Sequence, residues 1–340
     1  MKKILKKLFK LILILILLAL LFLLGIFLWH KVANFFTKGS IEIPGDQIEV
    51  YKEEYIHSVK MGEGDYTIVF LPGMGTPSPY YDYYNLAKEV AKKNRVIIIE
   101  PLGYGFSDDT EEKRGLNNYE HELSAVLEYY NIKDNIILLG HSYSGISNLY
   151  YANRHNEIKG IICLDCTTAY QIETHVENGS FIEEPEETPM YYTWLSPSGL
   201  TRFAASTFMA KDIKKELLVD IPSEYKSITK YLLYNRALNK TIIREIDDIY
   251  YNQLAILNEK YRENLYVRTI LSNDTIESMK KYKEDGDFKK DWEEMHNALI
   301  SNEEIQKIFT LDGDHYIHHG NVSEVTEIIN TMVYEIDKKE

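Results

Sequence analysis

The feature that most constrains this chain is an alternation that begins near residue 65, where short runs of branched apolar residues take turns with helical patterns. Thr67-Ile68-Val69-Phe70-Leu71 reads as a buried strand stopped by Pro72-Gly73. Tyr83 to Lys93 follows with Leu86, Ala87, Val90 and Ala91 on one helical face, and Val96-Ile97-Ile98-Ile99 is the next strand. Asn118 to Tyr130 is helical, Asn135 to Leu139 is a strand ending at Gly140, and another helix begins just after Ser142. Ile161-Ile162-Cys163-Leu164 continues the series. Such a pattern predicts an α/β fold in which a mostly parallel sheet is covered by helices.

The alternation lapses after Cys166 and resumes only at Leu265 to Leu271, with a last strand at Lys307 to Leu311 and a C-terminal helix from about Ser323. Between them lie an acidic loop (Glu173 to Glu187), a turn at Ser196-Pro197-Ser198-Gly199, and helical stretches at Lys211 to Leu218 and Ile242 to Asn258. This region reads as an inserted, mainly helical cap. The expected organisation is an anchor over 1–36, a first core segment over 37–168, a cap over 169–263 and a second core segment over 264–340.

The anchor is expected because Lys2, Lys3, Lys6, Lys7 and Lys10 precede the uncharged run Leu11 to Trp29. At about 1.5 Å per residue that run spans about 28 Å, close to the bilayer hydrocarbon thickness of about 30 Å. It is longer than a signal-peptide core and lacks a small-x-small site after it, so a retained single-pass helix is expected. The lysines place the N-terminus in the cytoplasm and the rest outside, with Trp29 at the far interface.

Acidic residues outnumber basic ones 52 to 38, and the excess grows to 52 against 33 once the five lysines before the span are set aside. The acidic body excludes nucleic acid as a partner held by bulk charge. Two cysteines, Cys163 and Cys166, are too few for a disulfide framework. Their spacing along a strand points them to opposite faces, so unbridged, packed thiols are expected.

Chemistry is concentrated in three places. Gly140-His141-Ser142-Tyr143-Ser144-Gly145 sits between an apolar strand and a helix, as a nucleophile elbow requires. Small residues must flank the nucleophile where the chain turns so tightly; Gly140 and Ser144 hold those positions, Ser144 where glycine is usual. The glycine-rich loop Pro72-Gly73-Met74-Gly75 brings backbone N–H groups near a ligand, making Met74 N–H and Tyr143 N–H the oxyanion-hole candidates. His315 follows the last strand in Asp312-Gly313-Asp314-His315-Tyr316-Ile317-His318-His319, where a general base can be delivered to the serine. Although Asp312, Asp314, His315, His318 and His319 are all ligand types, a Ser–His pair accounts for the first histidine, and neither metal nor cofactor is expected. Two carboxylates follow late strands: Asp274 is favoured as the acid by the order Ser, Asp, His along the chain, with Asp165 the alternative.

From about Asp65 onward the chain resembles the α/β-hydrolase superfamily, particularly its bacterial membrane-anchored members. Four segments carry the likeness in order: Leu71 to Gly75, Glu100 to Ser107, Gly140 to Gly145 and Gly313 to His318. Pro72 stands where a histidine often precedes the oxyanion glycine, and Asn273-Asp274 lacks the common Gly-x-x-Asp form. The resemblance implies a serine hydrolase without cofactor, in which Ser142, His315 and an aspartate transfer an acyl group to water, a carboxylic ester being the leading substrate. The alternatives are a peptidase or amidase of the same fold, or a membrane-tethered binding protein without turnover. Aromatic residues at Tyr80 to Tyr84 and Tyr191 to Trp194 suit a lipid-like ester arriving from the membrane.

Overall fold

A computed structural model describes residues 2–39, 41–214, 218 and 220–339. Eight strands form one sheet: β1 (Asp46–Tyr51), β2 (Glu54–Met61), β3 (Thr67–Leu71), β4 (Arg95–Glu100), β5 (Ile136–His141), β6 (Ile158–Leu164), β9 (Tyr266–Ser272) and β10 (Gln306–Leu311). β7 (Val176–Glu177) and β8 (Ser180–Phe181) make a separate small hairpin. The order across the sheet is β1-β2-β4-β3-β5-β6-β9-β10. From β4 to β10 all neighbours are parallel, while β1 and β2 are antiparallel additions at one edge.

β3 and β5 are buried along their whole length, which is why they read as unbroken apolar runs. The helix Leu116–Tyr129 turns Leu123, Val126 and Leu127 inward, and Tyr84–Val90 does the same with Leu86, Ala87 and Val90. Apolar side chains thus cover both faces of the sheet, with the helix Val322–Asp337 closing one of them through Val325, Ile329, Met332 and Ile336. The sequence reading assigned no strand before Thr67. β1 alternates buried and exposed positions, and the buried stretch of β2, Ile56 to Val59, carries the polar His57 and Ser58, so no apolar run announces either strand.

Between β6 and β9 the chain forms short helical pieces and two longer helices, Lys226–Arg236 and Lys240–Ala255. Of the helix expected over Lys211 to Leu218, residues 215–217 lie outside the described residues. Lys2–Lys38 is one continuous helix and, among the described residues, the one long and apolar enough to cross a membrane. It runs two residues past the anchor boundary expected at residue 36. Cys163 and Cys166 are free and buried.

Candidate active site

β5 ends at His141 and the next helix begins at Ser144, leaving Ser142 in the turn with φ of +51°. A non-glycine residue in that region is strained and is held there by its surroundings. Ser142 N donates to Leu164 O at 3.2 Å, and Ser142 O accepts from Thr167 N at 2.8 Å and Gly145 N at 3.1 Å. The turn is therefore tied to the end of β6 on both sides of the serine.

The structure explains the unusual Ser144. Its hydroxyl donates to His141 O at 2.8 Å, with Leu71 O at 3.2 Å, stitching the elbow to the end of β3. The positions that demand glycine are its neighbours. A Cβ at Gly140 would sit 2.4 Å from Asn148 Nδ2, and one at Gly145 2.6 Å from Cys166 Cβ.

Ser142 opens onto a cleft of about 660 Å³ that Met74 and Tyr143 also line, with Ile172, Tyr250 and Phe288 further out. The two oxyanion candidates therefore flank the serine's cleft. Gly75 N–H beside Met74 donates to Tyr104 Oη at 3.2 Å, and that hydroxyl donates in turn to Glu245 Oε2 at 2.5 Å. Glu245 belongs to the helix Lys240–Ala255 between β6 and β9, so that helix is tied to the glycine loop. Burial raises the Glu245 carboxyl above its ordinary range.

His315 approaches the elbow from its backbone as well as its ring. His141 Nε2 donates to His315 O at 2.9 Å, and the two rings lie 4.6 Å apart. Because a carbonyl only accepts, His141 carries its proton on Nε2. Burial keeps that imidazole neutral, with the His315 and His318 rings acting in the same direction.

The acid beside His315 is Asp165. His315 Nδ1 lies 2.7 Å from Asp165 Oδ2, and the same carboxylate accepts from Thr275 Oγ1 at 2.5 Å, Trp292 Nε1 at 2.8 Å and Ser272 N at 3.1 Å. It is fully buried, at the end of β6, with φ of +47°. The expected pairing of His315 with Asp274 is not what the structure displays. Asp274 is exposed in the first turn of the helix Asn273–Glu284, its backbone N–H on Gly313 O at 3.4 Å. Ser272 at the end of β9 instead caps that helix, whose Thr275 donates to Asp165. Carboxylates at a helix N-terminus are favourable there without any further role, and Asp274 has that position.

The ligand-type residues after β10 disperse. Asp314 Oδ1 accepts from Tyr316 N at 2.9 Å, and Asp312 accepts from Asn273. His318 and His319 turn inward to Asp82, one on each carboxylate oxygen, at 3.0 and 2.9 Å. Burial opposes the charge on Asp82, but the two imidazoles outweigh it and hold the carboxyl well below its usual range. Burial likewise opposes protonation of His319, and Asp82 outweighs it, so His319 is raised; His318 is lowered, by burial first. The sequence analysis gives no role to Asp82, nor to the carboxylate of Glu100, which accepts from His57 Nδ1 and Phe106 N on one oxygen and from Ser78 Oγ and Tyr80 N on the other. That one buried carboxylate joins the loop after β4 to the segment following the glycine loop. Its sole sequence signal is a charge at the end of an apolar strand.

The chain belongs to the α/β hydrolase fold family, whose model matches residues 66–338. It is 27% identical over 242 residues to the uncharacterized protein YbdG of Bacillus subtilis (strain 168), covering 68% of this chain and 70% of that one. Over 114 residues it is 29% identical to a cis-3-alkyl-4-alkyloxetan-2-one decarboxylase of Shewanella oneidensis, 32% of this chain and 35% of the relative. Among solved structures it resembles the epoxide hydrolase VrEH1 of Vigna radiata, with a TM-score of 0.57, 15% identity, and coverage of 87% of this chain and 98% of the other. Family and fold together make the protein a hydrolase-type enzyme.

Proposed function

We propose that the protein is a membrane-anchored serine hydrolase that cleaves a carboxylic ester through an acyl-enzyme on Ser142. The observation that carries this reading is the Asp165–His315 contact at 2.7 Å, tied to the strained strand-to-helix turn of Ser142 through the bond from His141 Nε2 to His315 O. With Asp165 accepting at Nδ1, the imidazole keeps its proton there and leaves Nε2 as the base. Ser142 Oγ attacks the ester carbonyl carbon while His315 takes its proton. Met74 and Tyr143 N–H donate to the oxyanion, and the proton passes to the departing alkoxide as the C–O bond breaks. Water repeats the sequence, releasing the acid and restoring Ser142. The Shewanella relative is named for an oxetan-2-one, a cyclic ester, which is in keeping with an ester carbonyl in this site.

In this reading residues 1–36 form the anchor, 37–168 and 264–340 the catalytic core and 169–263 the cap. The run 11–29 crosses the cell membrane with the N-terminal lysines in the cytoplasm. A fluorophosphonate probe should label the full-length protein at Ser142 and fail on Ser142→Ala; equal labelling of both would refute the assignment. External protease on intact cells should degrade everything after the span, whereas protection of the whole chain would refute the orientation.

A further inference from the structure

The N-terminal helix does not stand clear of the rest of the chain. Its C-terminal half packs on the insert. Ile26 and His30 are buried, and Gly199 (φ +84°) lies so close that a Cβ there would sit 2.6 Å from His30 Cβ. A polar knot locks the contact: Arg202 Nε donates to His30 Nδ1 at 3.1 Å, Arg202 Nη2 to Asn34 Oδ1 at 2.5 Å, and Asn34 Nδ2 to Asn235 Oδ1 at 2.7 Å. Arg202 also lies over the rings of Trp29 and Tyr234. This knot sits at the level of Trp29, where an amphipathic ring and polar partners suit the headgroup boundary.

The contact continues below that level. Phe22 meets Phe203 edge to face at 5.5 Å, and Phe203 meets Phe208 in the same manner at 5.9 Å. At about 1.5 Å per residue Phe22 lies about 10 Å along the helix from Trp29, inside a hydrocarbon half-layer of about 15 Å. Phe203 shares that depth. After Ala204 and Ala205 the segment opens outward through Ser206 and Thr207 to two exposed apolar side chains, Phe208 at 78% and Met209 at 52%. After Ala210, Lys211 and Asp212, both exposed, return the chain to polar surroundings.

We propose that the cap is seated in the membrane: the segment Phe203–Met209 lies beside Phe22 among the acyl chains of the leaflet on the catalytic side, and its occupant is lipid. The inference rests on the reading of the N-terminal helix as a span. Its immersion of about 10 Å falls in the 5–10 Å range of interfacial amphipathic elements. Continuity with the span selects lipid as the partner, since Phe203 is placed by a ring that is itself in the hydrocarbon.

The test uses the full chain in phosphatidylcholine vesicles, with an environment-sensitive fluorophore on single cysteines introduced by Phe208→Cys, Leu18→Cys or Glu327→Cys. The buried native thiols supply the unlabelled background. Lipids brominated along the acyl chain should quench positions 208 and 18 alike while aqueous iodide quenches only 327, and emission at 208 should shift to the blue. If 18 is quenched by bromine but 208 answers only to iodide, the cap is in water and the proposal falls while the span stands. If neither 18 nor 208 is quenched by bromine, the span itself fails and the proposal with it. A position 208 shielded from both quenchers would reveal protein cover, such as a second copy of this chain, and would also overturn it.

Discussion

Replacing Asp165 by Asn keeps the size of the side chain and removes its charge. Its carboxylate accepts from Ser272 N, Trp292 Nε1, Thr275 Oγ1 and His315 Nδ1. An amide offers only one oxygen, so whichever way it lies, its NH2 faces two donors. If it faces His315, the imidazole must present Nδ1 as an acceptor and carry its proton on Nε2, where it no longer serves as a base. If it faces Ser272 and Trp292, their buried N–H groups lose a charged acceptor, each at a cost of about 1.5–3 kcal/mol. The first outcome removes catalysis by about 10³–10⁴ in kcat, or about 4–5.5 kcal/mol in the barrier, with KM little changed. The second shows as lost stability. Steady-state hydrolysis of a soluble aryl ester, run beside denaturant unfolding, separates the two. Asp274→Asn, at an exposed helix position, should change kcat by less than about twofold and stability by less than about 0.5 kcal/mol. An Asp274→Asn variant that is folded but inactive, beside an active Asp165→Asn, would refute the reasoning.

Two further outcomes follow from the same geometry. His296 is buried and its imidazole is lowered to about 4 by that burial, so the folded protein keeps it neutral while the unfolded chain protonates near 6.5. The stability tied to neutral His296 is complete above 6.5 and is lost as pH falls towards 4. Between pH 7 and pH 5 this amounts to about 2 kcal/mol; His296→Gln should flatten the dependence measured by urea unfolding. His319, raised by Asp82, acts in the opposite sense, its contribution being present at low pH and lost as pH rises through its folded value. Tyr104→Phe removes the hydroxyl between Gly75 N–H and Glu245; kcat for ester hydrolysis should fall about tenfold with thermal stability reduced by about 1–2 kcal/mol, and an unchanged kcat would show that the glycine loop needs no such tie.

The central parallel strands were legible from sequence because burial on both faces leaves continuous apolar runs, and Thr67–Leu71 was read to the residue; the mostly exposed edge strand β10 was read at Lys307 to Leu311, one position short. The elbow and the histidine loop were legible because their residue types are demanded locally, by a turn at Ser142 and by the end of a strand before His315. β1 and β2 were not, since an edge pair with polar residues facing inward has neither signal. Glu100 and Asp82 were equally silent, because a carboxylate becomes a hub only when donors from distant segments converge on it.

The identity of the acid partner marks the boundary most clearly. Sequence alone determined that two aspartates follow late strands, and chain order favoured Asp274. β6 and β9 are neighbouring parallel strands, so Asp165 and Asp274 emerge at the same edge of the sheet. Which one meets His315 depends on where the chain goes next. After β9 it enters a helix capped by Ser272, which carries Asp274 to the surface, whereas Asp165 stays in the turn, buried under Trp292 and Thr275. Local residue types dictate strands, turns and the nucleophile, but a contact between side chains 150 positions apart is decided by packing.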